Sequence, residues 1–211
     1  MQTKSPRMQV EPVTAFLSRL PERLVVAIAG ADRLRFLQGL VSNDVAQATN
    51  GSLLWSALLT PQGRWTADFF LFAEAERILL DVEAAQAELV VASLSRFRLR
   101  AQMTLSIEPG WAVFAATGNL SGAHPGLLAF PDPRLAELGS RLYAPPGVEL
   151  PNATGIEAWD RLRLAHGIPD GSRDLEPNRT LLLEAGFDEL GGISWTKGCW
   201  MGQELTARTR Y

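Results

Sequence analysis

The stretch from Ser52 to Glu83 carries three apolar runs, SLLWSALLT, WTADFFLFA and RILLDVE, separated by the short polar breaks PQGR and EAE. Apolar runs of this length joined by tight turns read as three strands in a meander. The run from Leu24 to Ala29, bounded by Pro21 and Gly30, predicts another strand, buried on both faces. Between these strands, ADRLRFLQGLVSNDV sets Leu34, Leu37, Leu40 and Val41 at helical spacing, with Asp32 placed to cap the free amides. A second helix is predicted over Ala84 to Phe97, with Leu89, Val90 and Leu94 on one face, followed by strands at Met103 to Ile107 and Trp111 to Ala115. Short strands at Leu127 to Phe130 and Arg141 to Ala144 sit in a Gly/Pro-rich region. A short helix near Val13 to Leu20 and a longer one from Ile156 to His166, carrying Ile156, Trp159, Leu162 and Leu164, complete the pattern. Strands on either side of helices point to an α+β fold.

Composition narrows the function classes. The chain has 211 residues, 46% of them hydrophobic and 20% charged, which is enough apolar material for one large domain or two interlocked ones. A net charge of −3 and the lack of a long basic run argue against nucleic acid as a partner. No Cys-x-x-Cys or paired histidine offers a metal site, and one cysteine cannot form an intrachain disulfide, so a reducing cytosol is expected. The longest apolar run, LVVAIAGA, is too short to span a bilayer, so no membrane partner is expected.

The lone cysteine stands in WTKGCWMGQELTAR. A thiolate is stabilised by a nearby cation or a helix N-terminus. If the segment is extended, Lys197 projects to the same side as Cys199, and the helix-compatible QELTAR follows. Gly198 and Gly202 would let backbone amides approach a ligand. The opposing reading is a buried, inert space-filler, and local chemistry leaves the two open. Arg96, Arg98 and Arg100 recur at period two, which fits a strand face facing a ligand tail or, more commonly, a solvated face. His124 and His166 are isolated and receive no chemical role.

KGCWMGQE resembles the Lys-Gly-Cys-aromatic-x-Gly-Gln-Glu signature of the YgfZ-type folate-binding proteins, which assist maturation or repair of iron–sulfur enzymes. FLQGLVSNDV and LLTPQGRWTADF are similar to the N-terminal segments of that family. LLLEAG followed by ISWT resembles the related glycine-cleavage T-protein, an aminomethyltransferase. The resemblance implies a T-protein-like fold of two interlocked α/β sandwich domains with antiparallel sheets, one of them ferredoxin-like. Residues 8–50 with 115–211 would form the folate-binding part and residues 51–114 the ferredoxin-like part, while the small C-terminal barrel of the family is not present in this chain. It implies tetrahydrofolate as cofactor, absent if the missing barrel is essential, and iron–sulfur client enzymes or assembly proteins as partners. Glu184 matches the glutamate that meets the pterin, where a carboxylate accepts from neighbouring ring nitrogens. Asp68 matches one of the T-protein's paired aspartates and, with Cys199 and Lys197, is a candidate for chemistry. Asp68 could equally face solvent on an alternating strand. Asn43, Asp44, Trp195, Gly198, Gly202, Gln203 and Glu204 are the remaining candidate cofactor contacts, and Trp200 is either a stacking surface or core. The alternative implied function is aminomethyl transfer to tetrahydrofolate, so enzyme status stays open at this point.

Overall fold

The computed structural model describes residues 15–118, 125–150 and 152–210. In chain order the elements are β1 (Leu17–Arg19), β2 (Arg23–Ala29), α1 (Arg33–Gln38), β3 (Leu54–Leu59), β4 (Trp65–Glu74), β5 (Arg77–Glu83), α2 (Ala87–Phe97), β6 (Thr104–Glu108), β7 (Ala112–Ala116), β8 (Leu128–Pro131), β9 (Ser140–Ala144), α3 (Glu157–Ala165) and α4 (Gln203–Arg210). They form a five-stranded sheet of order β3-β4-β5-β2-β6 and a four-stranded sheet of order β1-β7-β9-β8. Every pairing between named strands is antiparallel. The meander β3-β4-β5 is as the apolar runs predict. Strand β2 reaches over it in sequence to pair with both β5 and β6, so residues on either side of the expected boundary at 50/51 share one sheet. Of the expected 8–50 segment, residues 8–14 lie outside the described residues, as does His124.

The larger sheet is covered on both faces, and strand alternation sorts its side chains between two cores. Val26, Ile28, Phe69, Leu71, Leu80 and Val82 pack against α1 and α2. Val25, Ala27, Phe70, Phe72 and Leu79 point the other way, towards Val113, Ala115 and Tyr143 of the smaller sheet and Trp159 and Leu162 of α3. Asp68 and Asp81 share the parity of Phe70 and Leu79, so both carboxylates enter the apolar space between the sheets. This corrects the reading of Asp68 as a solvent-facing acid, since the sheet has no solvent face at that point.

Asp81 is fully buried and holds the two sheets together. Its Oδ1 accepts from Arg23 Nε at 2.6 Å, and its Oδ2 accepts from Arg141 Nη2 at 2.7 Å and from the Tyr143 hydroxyl at 3.1 Å. The Arg141 guanidinium lies 3.9 Å from the centroid of the Phe70 ring. Burial alone would raise the Asp81 pKa, but Arg141 and Arg23 outweigh it and hold the carboxyl below its ordinary range.

Several local expectations change. The predicted helix over 13–20 is strand β1 in its described part, because Leu17–Arg19 pairs along Ala116–Phe114 and that pairing overrides helix propensity. Asp32 does not cap its own helix: its Oδ2 accepts from Gln102 N at 2.7 Å, tying the start of α1 to the entry of β6. Leu89 and Leu164 are exposed, because Ala87, Val90 and Leu94 on α2 and Trp159 and Leu162 on α3 set the buried face. Arg96, Arg98 and Arg100 are exposed on the last turn of α2 and just beyond it, so their period-two spacing marks no strand.

Candidate functional site

The segment from Gly191 to Gly202 lies along residues 39–43, which leave the end of α1. The attachment is a series of polar contacts. Asn43 Nδ2 donates to Gly191 O at 2.8 Å, and Ser42 Oγ donates to Gly192 O at 2.7 Å. Ser194 N donates to Ser42 O at 3.0 Å, and Met201 N donates to Gly39 O at 3.0 Å. Between them, Lys197 Nζ donates to Val41 O at 2.7 Å and Asn43 O at 2.6 Å. Cys199 therefore sits on an exposed apex with an anchor on each side, and it is a free thiol. Trp200 turns inward and is buried in the core, which settles it as a packing residue. Of the two readings that local chemistry leaves open for Cys199, its exposure removes the buried one.

The ammonium of Lys197 is aimed at two carbonyl oxygens, and no hydrogen bond joins it to Cys199 among the described residues. Its role in this geometry is to hold the loop. Burial pushes its pKa down to about 8, against a smaller opposing pull from Asp44. Between about pH 8 and its ordinary 10.5 the unfolded chain binds a proton that the folded chain does not, so stability attributable to this lysine rises with pH across that window. Lys197→Met is expected to cost about 1–2 kcal/mol by leaving two carbonyls unpaired. The gap from wild type should widen from pH 8 to 10.5 in urea unfolding, and amide exchange across 194–202 should speed up.

The two glycines differ. Gly198 has φ +95° with open space where a Cβ would stand. Gly202 has φ +82°, and a Cβ there would meet Thr60 O at 2.7 Å and Leu59 Cβ at 2.9 Å. Gly202 thus allows the loop to press on the β3–β4 turn and does not open the backbone to a ligand. Gly202→Ala should destabilise by about 2–4 kcal/mol through strain plus overlap, and Gly198→Ala by about 1–2 kcal/mol through strain alone, as read by thermal unfolding.

A cleft of about 450 Å³ opens beside this loop, lined by Asn43, Gln47, Trp55, Ser194, Trp195 and Thr196 among others. Trp55 is stacked on Phe187 at 3.9 Å between ring centroids, and Trp195 donates its Nε1 to Asp188 at 2.6 Å beneath the Arg210 guanidinium. The structure brings Asn43 and Trp195 to the cleft and leaves the other predicted contacts away from it. The Asn43 side chain is spent on structure, donating to Trp55 O and Gly191 O and accepting from Asp44 N. Asp44 locks its own turn, accepting from Gln38 Nε2 at 2.8 Å and Ala46 N at 3.2 Å. Gln203 Oε1 accepts from Trp200 N at 3.3 Å, and the exposed Glu204 pairs with Arg208 on α4.

Neither Asp68 nor Glu184 lines the cleft. Glu184 is exposed. Asp68, 3% exposed, lies behind Trp55, whose Nε1 donates to its Oδ2 at 2.8 Å, while its Oδ1 has no partner among the described residues. Burial raises the Asp68 pKa despite Arg23 and the Trp55 hydrogen bond. Ser42 was not foreseen from the sequence. It is fully buried, and besides bonding Gly192 its hydroxyl accepts from Ala57 N at 2.8 Å, so it joins the loop to strand β3. Its only signal is a polar SND following an apolar helix, which reads equally well as a turn.

No family model matches the chain. It is similar to the mitochondrial iron–sulfur cluster assembly factor IBA57 homolog of Mycosarcoma maydis, at 32% identity over 92% of this chain and 54% of the relative. The corresponding human protein is 30% identical over 92% of this chain and 62% of its own length. The chain thus spans little more than half the length of these curated relatives. The relatives carry this name and not that of the YgfZ-type proteins. They are also mitochondrial, which overturns the expected cytosolic location: a lone cysteine reports a reducing environment, and the cytosol is not the only one. Among solved structures, aminomethyltransferase T of the glycine cleavage system from Bartonella henselae superimposes with a TM-score of 0.72 at 18% identity, covering 93% of this chain and 63% of the other. The fold is therefore the α+β fold of the T-protein, and in sequence the chain is similar to iron–sulfur cluster assembly factors over about nine-tenths of its length.

Proposed function

We propose that this chain serves in the maturation of iron–sulfur proteins, presenting Cys199 to a partner from a loop held by Lys197 and Met201. The observation that carries this reading is an exposed single thiol, anchored on both sides, in a chain that resembles named assembly factors over almost its whole length. Its partners would be iron–sulfur clients or other assembly proteins. The test is to express the chain in cells depleted of the similar assembly factor and to assay iron–sulfur enzymes beside iron-free ones. Selective recovery of the former supports the reading, and no recovery by well-folded protein removes it.

Tetrahydrofolate belongs to the finer part of the YgfZ-type resemblance. The cleft volume falls within the range of about 300–1,000 Å³ usual for small-molecule sites, and two tryptophans border it. The donor set fits a pterin poorly, because no carboxylate lines the cleft to accept from its guanidine-like edge. Calorimetric titration of this chain with tetrahydrofolate is expected to show no saturation below roughly 100 μM, equivalent to binding weaker than about −5.5 kcal/mol. Submicromolar binding would contradict that reading of the cleft. Aminomethyl transfer is less well supported, since Asp68 is buried behind Trp55 and not open to a reacting group.

A further inference from the structure

A second groove, of about 660 Å³, runs between the outer face of α2, the turn after β3 and the segment from Ser172 to Asn178. Leu59, Leu89, Phe97 and Met201 supply apolar walls, and Arg96 is its one charged lining residue. Gln86 also lines it at only 6% exposure. The Gln86 Nε2 donates to Thr66 O at 3.3 Å, while its Oε1 has no hydrogen-bond partner among the described residues. A buried acceptor left unpaired is costly, and Gln86 Oε1 lies beneath the groove floor, closed to solvent.

The end of α2 and the residues just after it have their own character. Leu89 is 46% exposed, Phe97 41% and Leu99 91%, and Leu99 is held at φ +43°, a conformation leucine rarely adopts. Interleaved with them, Arg96, Arg98 and Arg100 are exposed and form no salt bridge among the described residues, in a chain whose net charge is −3. Apolar side chains alternating with unpaired arginines form the kind of surface where aromatic and arginine anchors carry binding energy.

We infer that this groove docks an acidic, amphipathic segment of a partner protein. Its apolar side chains would lie against Leu89, Phe97 and Met201, and its carboxylates on Arg96, with Arg98 and Arg100 beyond. A flat anionic membrane would meet the arginines and Leu99 without entering the groove. Met201, two residues after Cys199 in the chain, is one of the lining residues. This names the partner chemistry for the maturation reading, although the binding itself does not depend on it.

The full chain is titrated, by fluorescence anisotropy, with a peptide of about twelve residues built from glutamate and leucine. Controls are a glutamate–serine counterpart, a lysine–leucine counterpart and phosphatidylglycerol vesicles. Saturable binding of the glutamate–leucine peptide alone is expected, weakened roughly tenfold or more by Arg96→Glu or by Leu89→Asp, with amide exchange slowed over 85–97. Both substitutions are at accessible positions, and near-UV circular dichroism verifies that each variant is folded. Equal binding to the Arg96→Glu chain, equal binding of the serine peptide, slowed exchange elsewhere, or a response to vesicles alone would overturn the proposal. Peptide binding without recovery of iron–sulfur enzymes would count against the maturation reading only, and recovery without peptide binding would count against the groove only.

Discussion

Asp81→Ala is expected to be among the most destabilising single substitutions in the described chain, costing about 3–5 kcal/mol. Removing the carboxylate strands two guanidiniums, Arg23 and Arg141, in the fully buried space between the sheets, and deprives the Tyr143 hydroxyl of its acceptor. At about 2–4 °C per kcal/mol for a chain of this size, the thermal midpoint should fall by roughly 6–20 °C. Much of that cost comes from the unpaired cations and not from the value of the pair itself. Replacing Arg23, Asp81 and Arg141 together with apolar residues of similar volume should therefore recover a good part of the loss. Calorimetry of the single and triple variants checks both statements, and a single variant within about 0.5 kcal/mol of wild type would show that the cluster does not hold the sheets together.

Cys199→Ser should have the opposite profile. The sulfur is exposed, and the loop is held by Lys197, Ser42 and Met201 through bonds that the substitution leaves intact. Stability should stay within about 0.5 kcal/mol of wild type, as for other surface changes. The whole effect is expected in function, because serine keeps the shape but its hydroxyl is a far poorer nucleophile and metal ligand than a thiolate. In wild type, iodoacetamide should label Cys199 in the folded state without denaturant.

How much of this was legible in the sequence differs by level. The meander was readable because SLLWSALLT, WTADFFLFA and RILLDVE are strand-like at every position and their turns are short. Strand β2 was readable as a strand, but its insertion between β5 and β6 was not, because pairing partners far apart in sequence leave no local mark. The same limit explains Asp68 and Asp81. An acid in an alternating strand looks solvent-facing until a second sheet, contributed by β7 and β9, covers that face. KGCWMGQE singles out the loop that carries the exposed thiol. Spacing suggested that Lys197 attends the sulfur, whereas its ammonium reaches back to Val41 and Asn43, residues more than 150 positions earlier in the chain. Gly202 was noticed for the wrong reason: its need for φ +82° and close contact comes from the β3–β4 turn. Leu89 reads as core and the three arginines as a solvated face; that the arginines lie at and just beyond the end of α2, on the same stretch as an exposed Leu89, emerges only in three dimensions.

The most direct test of the central claim is to assay iron–sulfur enzymes in cells depleted of the similar assembly factor and supplied with either the wild-type chain or Cys199→Ser at matched levels. The account predicts recovery by the wild type and loss of most of that recovery with the serine variant, whose unfolding midpoint should be unchanged. Full recovery by a folded Cys199→Ser chain would contradict it.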